Sequence, residues 1–108
     1  MSFRVQLTDS AAEDLRDLYD FIAENDSPAA AGRVLDRLEH RLQELAELPE
    51  RGSHPRELLA LGIRDYRQLI EGPTRILYRV FDDRAIVYLI ADGRRDMQRL
   101  LARRLLGG

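Results

Sequence analysis

Between Ile63 and Ala91 the chain holds three apolar-rich runs, about Ile63–Ile70, Thr74–Phe81 and Ala85–Ala91. Only Glu71-Gly72-Pro73 and Asp82-Asp83-Arg84 separate them. A parallel crossover takes a dozen or more residues, so runs this close must turn back on one another as antiparallel hairpins. This stretch fixes the kind of fold open to the rest of the chain: whatever precedes and follows it has to cover a small sheet.

The preceding residues supply helices for that purpose. Phe3–Leu7 alternates apolar and polar side chains and reads as a short strand, broken by Thr8-Asp9-Ser10. Ser10 with Glu13 fits a capping box, and Leu15, Leu18, Tyr19 and Ile22 follow at helical spacing up to Asn25-Asp26. Ser27 and Pro28 suit the N-cap and first position of a second helix, whose stripe is Val34, Leu38, Leu42 and Leu45 and which Pro49 stops. The short turn between the two helices predicts an antiparallel hairpin. After a loop over Pro49–Pro55 and a short apolar stretch at Leu58–Leu61 come the strands. Asp92-Gly93 ends the last one, and Asp96 can cap a final helix to about Leu106. The expected fold is therefore α+β, in the order β-α-α-β-β-β-α, with the helical hairpin packed on one face of a small, largely antiparallel sheet. One domain spanning 1–108 is expected, with no repeat or linker.

The basic side chains, two histidines apart, are all arginine, because the chain has no lysine. Residues 1–54 carry 6 Arg against 12 Asp and Glu, a net −6; residues 55–108 carry 11 Arg against 7, a net +4. Such asymmetry points one side of the molecule at an anionic partner, although an acidic solvated face would give the same pattern. Cysteine is absent and only His40 and His54 occur, so no metal site and no cofactor are expected. The first residues lack an apolar signal core, and no apolar run approaches the ~20 residues of a membrane span. A cytoplasmic protein without a membrane partner is the expectation.

Strand register decides where the arginines of the sheet point. A two-residue second loop puts Ile76, Tyr78 and Val80 on one face with Val87, Leu89 and Ala91. A three-residue first loop adds Asp65, Arg67 and Leu69 to the other face, beside Arg75, Arg79 and Phe81. Arg67, Arg75 and Arg79 would then line one surface with Tyr88 and Phe81 available for stacking, and Arg94 and Arg95 would stand at its rim. Such a platform suits phosphate. The same residues can instead satisfy one another: Asp65 with Arg79, Arg79 over Tyr88, Asp92 with Arg75. Met97, Leu100, Leu101 and Leu105 form the stripe of the last helix, which serves either as core or as a docking groove for a partner helix.

Several pieces of the chain, in this order and spacing, resemble the RelE/ParE family of toxins from type II toxin–antitoxin pairs. They are LTDSAAEDL over Leu7–Leu15, Ser27-Pro28 with Ala30-Ala31, Leu48-Pro49 with Gly52, and Gly62–Arg67. Gly72–Tyr78, Asp92–Asp96 and Arg103–Leu106 complete the set. The resemblance implies a β-α-α-β-β-β core and neutralisation by a cognate antitoxin, with which a hetero-oligomer would form. It also implies one of two activities. RelE-like members cut mRNA in the ribosomal A site; ParE-like members inhibit DNA gyrase. For an RNA-cutting member the resemblance makes Arg67, Arg75 and Arg95 the catalytic positions. Leu69, however, stands where such members often carry a lysine. Met97–Leu106 contains neither Tyr nor His, where an acid–base residue often stands, and Leu101 falls near that place. Cleavage through a 2′-OH needs a proton acceptor, a proton donor and charge stabilisation, and arginine supplies only the last. Asp65, Asp92, Asp96, Tyr66, Tyr88 and His54 are the other titratable candidates. The leading expectation is thus ParE-like inhibition of gyrase, with Arg79, Tyr88, Arg94, Met97 and Leu101 as binding residues. The alternatives are a RelE-like ribosome-dependent endonuclease and a degenerate toxin that acts only as an antitoxin partner.

Overall fold

The computed structural model describes residues 3–106 and the side chains of residues 3–105. Its elements are β1 (Arg4–Leu7), α1 (Asp9–Asn25), α2 (Pro28–Glu47), α3 (Arg56–Leu59), β2 (Arg67–Glu71), β3 (Thr74–Phe81), β4 (Arg84–Asp92) and α4 (Met97–Leu106). The architecture is α+β, as expected, with α3 an added single turn. The sheet runs β1-β4-β3-β2; β1 lies parallel to β4, and the other pairs are antiparallel. No helix among the described residues is long and apolar enough to cross a membrane.

Local chemistry explains the helix starts. Ser27 caps α2, its Oγ accepting from the Ala30 amide at 3.0 Å, with Pro28 in the first position. In α1 the cap is Thr8, not Ser10: Thr8 Oγ1 accepts from the Ala11 amide at 3.1 Å. Ser10 lies inside the helix.

Two details of register correct the expected faces. The first hairpin pairs Glu71 with Thr74, leaving a two-residue loop of Gly72 and Pro73. Gly72 sits at φ 59°, the positive value that primed hairpin turns need and glycine adopts freely. One residue fewer in the loop flips β2. Arg67 now pairs with Tyr78, and Leu69 with Ile76, on the face opposite Arg75 and Arg79.

The second hairpin has the expected two-residue loop, but its ladder passes from Tyr78↔Val87 to Leu77↔Leu89. Tyr88 is the extra residue of a β-bulge. Past it, Ile90 joins Ile76 and Tyr78 on one face, while Leu89 and Ala91 join Leu77 on the other. The placement of Leu89 and Ala91 beside Tyr78 is thereby overturned. So is the covering of a single face. Leu38 and Leu45 of α2 and Ala11 of α1 pack on Ile76, Tyr78 and Ile90. Leu58 of α3 with Met97 and Leu101 of α4 packs on Leu77, Leu89 and Ala91. Both sides of β3 are therefore buried over Ile76–Tyr78.

The bulge opens backbone groups at an edge that β1 does not cover, because β1 pairs only with Arg84–Val87. Asp14 of α1 and Arg104 of α4 meet there. Asp14 Oδ2 accepts from the Ile90 amide at 3.0 Å; the Arg104 guanidinium donates to Tyr88 O at 2.9 Å and to both Asp14 oxygens at 2.7 and 2.9 Å. The two helix layers are thus tied together around the edge of the sheet.

At the opposite edge the loop after α2 docks on β2. Ser53 and Gln68 exchange backbone hydrogen bonds at 3.1 and 2.7 Å, which blunts an edge open to foreign strands. Gly52 donates its amide to the fully buried Tyr78 hydroxyl at 3.0 Å. Burial pushes that phenol above its ordinary pKa. A Cβ on Gly52 would lie 2.5 Å from Tyr78 Oη and 2.6 Å from Gln68 O. Gly52→Ala should therefore cost about 2–3 kcal/mol in urea unfolding, and Tyr78→Phe, which orphans the Gly52 amide, about 1–2 kcal/mol. An unfolding midpoint for Gly52→Ala equal to that of the parent would refute this packing.

Candidate functional site

The part of the sheet that α4 leaves open is a cation–aromatic ledge. Arg79 and Phe81 sit two apart on β3 and so share a face. The Arg79 guanidinium carbon lies 4.7 Å from the Phe81 ring centroid and 5.8 Å from that of Tyr66, which precedes β2. Tyr66 in turn meets Tyr88 edge-to-face at 5.5 Å and 82°. Its carbonyl lies 3.1 Å from His54 Nδ1, so the loop histidine anchors the ring's backbone. Asp65 pairs with Arg79 at 3.2 Å from an exposed bend, as one reading of the sequence had it. The rings beside Arg79 are Phe81 and Tyr66, however, and Tyr88 lies against Tyr66.

The ledge carries a pre-oriented cation. Ring contacts of this kind contribute about 0.5–1 kcal/mol each at exposed sites and hold the guanidinium in place. The Arg79 side chain is 35% exposed, with a single carboxylate beside it. It can take a forked anion or stack on a planar group. It cannot carry a proton, since the guanidinium stays charged at any ordinary pH.

The other arginines are disposed differently. Arg75, only 12% exposed, is a cross-link: Nη1 and Nη2 each donate to Glu57 at 2.9 Å, and Nε donates to Gln68 Oε1 at 2.7 Å. Its stem packs where a Cβ on Gly93 would fall, 2.8 Å from Cδ. Arg67 is on the opposite face and donates to the carbonyls of Glu50 and Gly52 at 3.1 and 2.9 Å, tying down the loop on Tyr78. The single surface expected for Arg67, Arg75 and Arg79 does not form. Asp92 pairs with Arg94 at 2.6 Å and not with Arg75; the hydrogen bonds from Arg94 hold its carboxyl at about 2. Arg94 and Arg95 are exposed at the end of β4. Met97 and Leu101 are 4% and 2% exposed and pack in the core against Leu77, Leu89 and Ala91.

Sequence reasoning passed over Glu57, Asp14, Arg104 and the stacking role of Tyr66. Arg104 did carry a signal. It falls seven residues after Met97 and three after Leu101, on the buried stripe of α4, where a guanidinium requires a carboxylate. Nothing local marks Asp14 as that carboxylate.

The model of the ParE toxin of type II toxin–antitoxin systems (parDE) matches residues 5–97. No curated protein sequence matches the chain. Among solved structures, the chromosomal ParDE toxin–antitoxin system of P. aeruginosa is similar at TM-score 0.69 and 19% identity, over 84% of this chain and 96% of that one. The toxin–antitoxin complex RelBE2 of Mycobacterium tuberculosis gives 0.59 and 22%, over 85% and 99%. A doubly arginine-to-alanine substituted E. coli toxin RelE, in the free state, gives 0.64 and 18%, over 93% of each chain. At these identities the likeness is one of fold.

The Glu57–Arg75 pair has a pH signature. Hydrogen bonding from Arg75 lowers the Glu57 carboxyl from its ordinary 4.5 to about 2. A carboxyl depressed by folding adds stability that is complete above about pH 4.5 and is lost as pH falls toward 2. The melting temperature should fall through that window, and Glu57→Gln should flatten part of the fall while lowering the neutral-pH value. Identical slopes for parent and variant would show that the pair adds nothing.

Proposed function

The chain belongs to the ParE toxin family of type II toxin–antitoxin systems, and from that membership we propose that it arrests growth by binding and inhibiting DNA gyrase in the cytoplasm. One observation supports this reading above the rest. Arg67 and Arg75, which an RNA-cutting relative would use together, lie on opposite faces of the sheet, Arg75 engaged through Nε and both Nη by Gln68 and Glu57 and Arg67 through Nη1 by loop carbonyls. A cleavage site needs charge stabilisation at one phosphate together with proton transfer. With Arg67 and Arg75 in cross-links on opposite faces, the exposed Arg95 is the one member of that catalytic set left to meet a phosphate, and it carries no proton.

Inhibition by binding asks for less: a rigid, exposed surface complementary to the target. The ledge of Arg79, Tyr66 and Phe81 has the composition of binding hot spots, which favour arginine and aromatic side chains. A cognate antitoxin is the second proposed partner; the similar structures include a ParDE system and a RelBE2 toxin–antitoxin complex. An antitoxin that covers the ledge would neutralise the toxin by exclusion.

The test is a pair of parallel assays on the purified chain. Supercoiling of relaxed plasmid by gyrase should be inhibited, and mRNA on programmed ribosomes should stay intact. Arg79→Ala should weaken inhibition at least about tenfold, the loss of one hot-spot contact. Cleaved mRNA with unimpaired supercoiling would overturn the proposal in favour of a nuclease.

A further inference from the structure

Arg4, Arg41, Arg51, Arg67, Arg75, Arg79, Arg94 and Arg104 are each answered by a carboxylate or a carbonyl, and among the remaining arginines those of α4 stand on a helix without an acidic residue. Met97–Leu106 contains Arg99, Arg103 and Arg104 and no acidic residue. Arg104 turns inward to Asp14. Arg99 and Arg103 are exposed, and neither has a side-chain partner among the described residues. Arg95, exposed just before the helix, likewise has no side-chain hydrogen bond or ion pair. The neighbouring carboxylates are engaged elsewhere: Asp92, whose charge Arg95 also feels, pairs with Arg94, and Asp96 is the N-cap, accepting from the Arg99 amide at 3.1 Å.

The helix cannot turn to bury these charges. Met97 and Leu101 are sunk in the core below it and Arg104 is clamped from beneath. The outward residues are therefore fixed as Gln98, Arg99, Ala102 and Arg103. Arg99 and Arg103 stand one turn apart, about 6 Å along the axis. Held cations without internal partners raise the local potential and favour a polyanion.

We propose that the outer face of α4 is a binding site for nucleic-acid phosphate, engaging the backbone of duplex DNA through Arg95, Arg99 and Arg103. The surface composition separates this partner from an acidic protein. Protein interfaces draw their affinity from a buried apolar or aromatic centre. Among the described side chains the exposed large apolar ones are Phe21, Leu48, Leu59, Leu61 and Ile70, none of them between Met97 and Leu105. A ridge of arginines with no apolar anchor among the described side chains suits phosphate contact, which is electrostatic and independent of sequence. The acidic side chains along α1, from Asp9 and Glu13 to Asp17, Asp20 and Glu24, lie on the other layer and would orient the basic face toward the duplex. The site is independent of gyrase being the target.

Fluorescence anisotropy with a labelled random-sequence duplex tests it, using the purified full chain and no gyrase. Binding should be measurable at low salt and weaken with added salt, with a log–log slope of about −2 to −3, roughly 0.9 per phosphate contact. Arg99→Gln with Arg103→Gln should lower affinity at least about tenfold and reduce the slope by about 2. Arg33→Gln with Arg37→Gln removes the same charge from exposed positions on α2, beside Asp36 and Glu39, and should change affinity less than about twofold. Unchanged melting temperatures would show that both variants fold. Three results would overturn the proposal: no binding at low salt, equal losses in the two double variants, or tighter binding to poly-glutamate than to DNA.

Discussion

One extra residue in β4 decides how this molecule is put together. Tyr88 lies outside the regular ladder between Tyr78↔Val87 and Leu77↔Leu89, so every later side chain of the strand changes face. Ile90 turns into the core beneath the helical hairpin, and Leu89 and Ala91 turn to α4. Without the bulge, Ile90 would change places with Leu89 and Ala91, and both helix layers would have to repack. The irregularity also frees the Tyr88 carbonyl and the Ile90 amide at an uncovered edge, where unmet buried polar groups would cost about 1–3 kcal/mol each. Arg104 and Asp14 meet both demands, and in doing so fasten the two helix layers to one another. The hydrogen bonds to Asp14 draw the Arg104 guanidinium above its ordinary pKa.

A chain without lysine uses arginine for every cationic task, and its structure sorts those tasks. Arg75 fastens α3 to β3, Arg67 fastens the loop over Tyr78, and Arg104 fastens α4 to α1. Each uses the planar fork of donors that suits arginine for partly buried pairing. Arg79 remains at the surface because its rings support it and only Asp65 answers it. On α4 the outward arginines stay unanswered. The electrical asymmetry of the sequence is thus resolved into folding contacts and arginines left at the surface of the ledge and of α4.

The element order, the α2 start at Ser27-Pro28 and the two hairpins were legible because each rests on local chemistry: caps, turn residues and periodicity. The faces were not. Gly72-Pro73 makes a two-residue turn in which Glu71 remains strand, and one residue of loop length moved Arg67 across the sheet. The bulge at Tyr88 left no mark in the alternation, since Tyr88, Leu89, Ile90 and Ala91 are all apolar enough for either face. Arg75 looked like a ligand clamp because its partner, Glu57, sits on a helical turn too short to recognise. Long-range pairs such as Asp14 with Arg104, ninety residues apart, have no local signature at all.

Exchange of the Ile90 backbone amide, followed by NMR, tests most directly whether the Asp14-capped bulge organises the fold. That amide has a carboxylate as its partner where a neighbouring strand would ordinarily stand. It should be protected in the parent like the strand interior, and Asp14→Ala should cut its protection at least about tenfold more than that of the Leu77 amide. An Ile90 amide that exchanges freely in the parent, or whose protection survives Asp14→Ala, would contradict the account.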